Sequence, residues 1–218
     1  GAYISSLMVG AGMFAMFLFL GIFMQTILGY SPVQAGFAFL PFSVGIILGA
    51  GVASNLLPRV GPRPLMIPGL IAGAAGMLWL AQLEPDSSYV THLLPAMVVM
   101  SLGMAFVFIP TATVALHAVD HHDAGVASAM INTSQQVGGS LGTALMNTVA
   151  VSATSAFLVA NAAQGEAAMP AALTEGFTRG FYVGAGLLLV AAVVVFFMIR
   201  IGADAAEEDD EAAPVHIG

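Results

Sequence analysis

Cysteine and lysine are both absent from this 218-residue chain, and charged residues make up only 7% of it. Without cysteine there is no disulfide, no thiolate metal site and no cysteine nucleophile. Four arginines (Arg59, Arg63, Arg179 and Arg200) are its only permanently basic side chains. So sparse a set excludes a nucleic-acid-binding surface, which needs clustered Lys and Arg. Soluble domains carry about a quarter charged residues. Here 59% of the residues are hydrophobic and the mean hydropathy is +0.95. That composition excludes most soluble enzyme folds and describes a polytopic membrane protein. The net charge of −8 is uneven: six of the twelve acids (Asp204, Glu207, Glu208, Asp209, Asp210 and Glu211) fall in the last fifteen residues.

Long apolar runs are what the chain has instead. Six are long enough to cross ~30 Å of hydrocarbon, at roughly 4–28, 33–57, 65–83, 92–117, 125–152 and 177–199. Alternating strands of roughly ten residues are missing, so the backbone must be satisfied within helices and the fold class is all-α. Residues 1–200 are therefore expected to form a six-transmembrane-helix bundle. Residues 201–218 read as an acidic tail too poor in apolar side chains to fold. The chain opens on Gly1 and reaches an apolar run without a basic segment, which argues against a signal peptide and for a natural N-terminus upstream.

Punctuation between the runs is specific. Ser31-Pro32-Val33-Gln34 reads as a helix start, with Ser as cap, Pro at the first helical position and Gln closing the box. Pro58-Arg59-Val60-Gly61-Pro62-Arg63-Pro64 reads as a short, stiff turn. A stretch over 153–175, too polar in its second half for lipid, precedes the last span. Arg59 and Arg63 place their turn in the cytoplasm by the positive-inside rule. Both termini and Arg200 then fall inside, with Arg179 outside. Tyr30, Trp79, Tyr89 and Tyr182 would sit at the outer interface, where amphipathic rings collect.

Several segments carry a family resemblance. Arg59-Val60-Gly61-Pro62-Arg63 resembles the basic loop of the major facilitator superfamily, Asp-Arg-x-Gly-Arg-Arg/Lys, with Pro58 at the Asp position and Pro62 at one basic position. Gln25-x-x-x-Gly29-Tyr30-Ser31-Pro32 with Ala35-Gly36 and Leu40-Pro41, then Gly125-Val126-Ala127-Ser128 and the run Asn132 to Gly142, are similar to the C-terminal half of fourteen-spanner drug/proton antiporters. The resemblance implies one half of a major facilitator fold, paired with an N-terminal half and working by alternating access. It implies export of small amphipathic or cationic molecules through the cell membrane, with the proton as coupling ion. It implies no enzyme activity and no other cofactor. A transporter of another solute, such as a sugar or siderophore, and a non-transporting six-span scaffold are the alternatives.

Asn132, Gln136, Gly139 and Thr143 recur at i, i+4, i+7 and i+11 and share one helical face. Amides and hydroxyls there either line a substrate cavity or bond between helices. Gln25 is the one strongly polar side chain of the first span, and a candidate gate or binding residue. Met13, Phe14, Met16, Phe17, Phe19, Phe23 and Met24 in that span form a wall that suits a promiscuous cavity, with Phe17 a candidate contact, or suits lipid. Arg59, Gly61 and Arg63 are candidates for a conformational role in the cytoplasmic loop. They otherwise set topology. Gly45/Gly49, Gly69/Gly73, Gly138/Gly142 and Gly180/Gly184 are small-residue pairs suited to close helix packing. Pro41 and Pro110 lie within spans and are expected to kink them. Asp120-His121-His122-Asp123 has metal-ligand residue types, but neighbours in a short turn converge poorly on one ion, so no metal site is expected. His117 has the side chain to carry protons near neutral pH, but its place at the cytoplasmic end of a span reads as an interfacial, solvated histidine. The six acids outside the tail all fall outside the spans. Proton coupling is therefore expected through the other half, and Glu175 is expected to pair with Arg179 at i, i+4.

Overall fold

A computed structural model describes residues 2–116, 119 and 123–199. Arg200, the tail, His117 and most of the Asp120–Asp123 turn lie outside the described residues. The chain is an all-α bundle. Its elements are α1 (Ala2–Thr26), α2 (Pro32–Ala38), α3 (Leu40–Val60), α4 (Pro62–Leu80), α5 (Leu94–Leu116), α6 (Ala124–Ala160) and α7 (Met169–Met198). With α2 and α3 taken as one span, six helices among the described residues are long and apolar enough to cross a membrane.

Local chemistry accounts for the boundaries. Ser31 caps α2: its hydroxyl accepts from the Gln34 amide at 3.3 Å, and the Gln34 side chain accepts from the Ser31 amide at 2.8 Å. Gly61 separates α3 from α4 with φ 77°, a left-handed conformation in which other side chains are strained. A single π-helical turn, Tyr89–Leu93, leads into α5. It stands just before Pro95, which has no amide to continue an ordinary α ladder.

One expectation changes. Pro41 does not kink a continuous span. The helix is interrupted at Phe39, and Pro41 occupies the first turn of α3, where its missing donor costs little. The 153–175 stretch is largely helical. α6 continues to Ala160, a 3-10 segment runs Ala162–Ala168 and α7 begins at Met169. Ala-rich sequence sustains a helix in water as well as in lipid, so polarity marks where the membrane stops and not where the helix stops. α6 is 37 residues long. At 1.5 Å per residue that is about 54 Å, well beyond ~30 Å of hydrocarbon.

The helices are placed by what is small. Gly138 and Gly142 of α6 meet Leu7 and Ala11 of α1. Gly69 and Gly103 bring α4 and α5 backbone to backbone. Gly45 and Gly49 of α3 accept Ser101 and Ala105 of α5. Gly180 of α7 receives the Phe19 ring of α1. The interior they enclose is filled by Met16, Phe19, Phe23, Met66, Leu70, Met77, Phe181 and Leu188, all essentially inaccessible.

Candidate functional site

α1 faces two ways. Met16, Phe19 and Phe23 point into the bundle, and the Phe19 ring lies 5.5 Å from Phe177 and 6.1 Å from Phe181 of α7. On another side, Val9, Gly10, Met13, Phe14 and Phe17 line a cleft of about 330 Å³, completed by Phe108 of α5 and Gln135 of α6. The mixed aromatic and thioether wall expected of the first span is therefore divided between core and cleft. The sequence left that division open because residues of both kinds recur around the whole helix.

The cleft exists because α1 is pinned to α6 on one edge only. Gly10 is so close to the Gln135 backbone that no side chain fits between them, and the Phe14 ring lies over Gly139. Phe17 closes the other end, its ring 5.1 Å from both Phe39 and Phe42. Three aromatic rings and a methionine thus surround one amide. Gln135 is the only lining residue with a polar side chain. Its half-buried amide makes no hydrogen bond to another described residue. An aromatic, polarisable wall accepts varied apolar shapes, while one amide supplies a directional donor and acceptor. Among the described residues the lining contains no carboxylate, so what the cleft offers is shape and one polar contact.

The residues singled out from sequence divide unevenly around this cleft. Phe17 lines it. Asn132 and Gln136 are exposed and Thr143 is half-buried, and none of the three lines the cleft. With exposed Ser140 and Asn147 they form a polar strip on α6 beside Gly139 and Phe14. Val126, Met130, Val137 and Leu141, exposed by 45–64%, occupy a different side of the same helix. Gln25 lies outside the cleft, exposed near the end of α1, with its amide nitrogen donating to the Gly21 carbonyl at 3.1 Å. Sequence reasoning passed over Gln135 for its neighbour Gln136. The available signal was its phase: Gln135, Gly138 and Gly142 fall at i, i+3 and i+7, so Gln135 is the amide carried on the packing face.

At the opposite ends of the helices the basic turn has its own geometry. The guanidinium carbon of Arg63 stands 4.3 Å from the centre of the Phe196 ring of α7, a cation–π contact within the bundle. Arg59 is exposed in the last turn of α3. Glu175 and Arg179 pair on α7 with Nε donating to Oε1 at 2.7 Å.

Residues 2–143 match the family model of the Major Facilitator Superfamily. The puromycin resistance protein pur8 of Streptomyces alboniger is 43% identical over 93% of this chain and 41% of its own length. The cephamycin export protein CmcT of Amycolatopsis lactamdurans is 38% identical over 70% of this chain and 32% of its own length. The tetracenomycin C resistance and export protein of Streptomyces glaucescens is 34% identical over 62% of this chain and 25% of its own length. The chain thus spans less than half the length of the curated relatives it matches.

Proposed function

The chain belongs to the major facilitator superfamily, and from that premise we propose that it is one half of an exporter of small amphipathic molecules. The observation that carries the proposal is the aromatic cleft between α1, α5 and α6, with the single amide of Gln135 inside it. Relatives named for antibiotic resistance and export support the same reading. In this reading substrate packs against Met13, Phe14, Phe17 and Phe108 and bonds to Gln135. The polar strip of Asn132, Gln136, Ser140 and Asn147 hydrates the path beside it.

The second half covers what this half leaves open. Only 11% of the most apolar window of α6 and 22% of that of α2–α3 are buried, against 56% in α1 and in the α5 span. A bundle whose members differ so much in burial has a face built for a partner. The partner is the remaining six to eight spans of the transporter, and the cavity lies between the two halves. The protein sits in the cell membrane with the Arg59–Arg63 turn and both ends of this chain in the cytoplasm. Protons drive the exchange through the other half: among the described residues Glu84, Asp86, Asp123 and Glu166 lie outside α1–α7, and Glu175 pairs with Arg179.

The test is transport by the complete protein carrying changes in this cleft. Gln135→Leu removes the one polar group and keeps the volume. Export of a hydrogen-bonding amphiphile should fall by roughly tenfold, the worth of one hydrogen bond in a desolvated site. Phe17→Ala should raise KM for bulky aromatic substrates. Val126→Ala, on the apolar side of α6, should leave transport unchanged. Unaltered export by both cleft variants would overturn the assignment. A solute facilitator of sugars would instead show saturable uptake of hydrophilic substrates, and a scaffold would move none.

A further inference from the structure

One charged cluster belongs neither to the cleft nor to the cytoplasmic turn. Glu175 and Arg179 sit on the outward face of α7, in line with Tyr182, Leu189, Val193 and Phe196, which are 44–55% exposed. That face carries no other charge down to Phe196. Below the pair its exposed side chains are apolar, which suits lipid, and an ion pair on such a face needs a reason.

Depth supplies the reason. Phe196 marks one membrane boundary, because Arg63 stacks on its ring. Arg179 stands about 25 Å up α7 from Phe196 and Glu175 about 31 Å, at 1.5 Å per residue. A hydrocarbon layer of ~30 Å therefore ends at this pair. Aromatic anchors agree. A methyl group placed on Gly184 would stand 3.2 Å from the Met77 thioether, so these two residues share a level. Two residues further along each helix toward the same end are Tyr182 and Trp79, exposed by 49% and 43%. Tyr and Trp at one level mark the headgroup boundary, and Arg179 stands just beyond it.

The pair leaves Arg179 poised. Its Nε–H donates to Glu175 at 2.7 Å, which fixes the plane of the guanidinium. Glu175 is its one hydrogen-bonding partner among the described residues, so both Nη groups remain for a ligand. A planar fork of N–H donors at the edge of hydrocarbon matches two phosphate oxygens. We propose that Arg179, oriented by Glu175, binds the phosphate of a membrane phospholipid in the leaflet at the Trp79–Tyr182 end of the bundle. The acyl chains lie along Leu189, Val193 and Phe196. Arg179 touches the ligand and Glu175 is a positioning residue.

Native mass spectrometry of the detergent-purified complete transporter, carrying the changes in this segment, tests this. The probes are dioleoyl phosphatidylglycerol and dioleoylglycerol, which share acyl chains and differ in the phosphate. The wild type should retain the phospholipid about tenfold better, the scale of a charge-assisted hydrogen bond. Arg179→Gln should abolish that preference. Arg179→Lys, which keeps the charge and most of the bulk, should retain part of it. Glu175→Gln should weaken it by a smaller factor, since the fork is present but free to rotate. Arg63→Gln, at the other boundary, should leave it intact. Equal retention of the two lipids by the wild type would overturn the proposal. So would a full preference in Arg179→Gln. An Arg179→Gln transporter that changes from dimer to monomer with lipid preference unaltered would assign this face to a second copy of the transporter instead.

Discussion

Gly138 of α6 lies directly against Leu7 of α1. A methyl group added to Gly138 would stand 2.7 Å from the Leu7 carbonyl carbon and 2.8 Å from its Cα. Backbone cannot move aside as a flexible side chain can. Gly138→Ala should therefore force α1 and α6 apart and cost about 1–3 kcal/mol, the range for overpacking. Gly142, set against Ala11, should behave alike. Gly36 has open space around its Cβ position, and Gly36→Ala should stay within about 0.5 kcal/mol of wild type. Thermal unfolding followed by size-exclusion chromatography distinguishes them. Equal melting of the Gly138 and Gly36 variants would mean that the α1–α6 approach is looser than described.

Arg63 and Phe196 make a second pair with a measurable consequence. Removing the ring with Phe196→Leu keeps bulk and loses the cation–π contact, which is worth about 0.5–2 kcal/mol. Arg63→Lys should lose less than Arg63→Gln, because the positive charge is kept. A double-mutant cycle on melting temperature gives the coupling. A coupling near zero would show that Arg63 serves only topology.

Orientation is testable because every introduced cysteine is unique in the chain. Asp86 is exposed in the α4–α5 connection, and Val60 is 38% exposed at the end of α3. Ser87 is the poorer choice: it is buried, and its hydroxyl accepts from the Glu84 amide at 2.9 Å. An impermeant maleimide added to intact cells should label Asp86→Cys and spare Val60→Cys. The reverse pattern would invert the bundle.

The acids give the proposal for coupling its sharpest test. Glu84, Asp86 and Glu166 are exposed, and Glu175 is held by Arg179. In the complete transporter, neutralising any one of these four should leave pH-gradient-driven export within a factor of about two, as surface charge changes usually do. Loss of gradient-driven export with substrate binding intact, in any one variant, would place proton coupling in this half.

Much of the architecture can be read without coordinates. Apolar runs of about 20 residues become helices because a lipid-exposed backbone has no other way to satisfy its donors and acceptors. Ser31, Pro32 and Gln34 start a helix for reasons confined to four residues, and Glu175 meets Arg179 because i and i+4 are neighbours on any helix. The cleft is of another kind. Asn132, Gln136 and Thr143 share a face, as periodicity requires, but periodicity does not say which neighbour that face meets. The neighbour is chosen by where backbones approach most closely. At Gly10, Gly138 and Gly142 that choice draws α1 onto the edge of α6 carrying Gln135. Gln25 failed to join the cleft for the same reason. It is polar and in the right helix, yet it lies beyond Phe17, where Phe39 and Phe42 already fill the space. Pro41 shows the limit most simply. Its ring removes one donor wherever it stands, but the break at Phe39 decides that the donor was not needed. Local bonding is written in the order of residues, while the meeting of distant surfaces depends on the summed fit of all six spans.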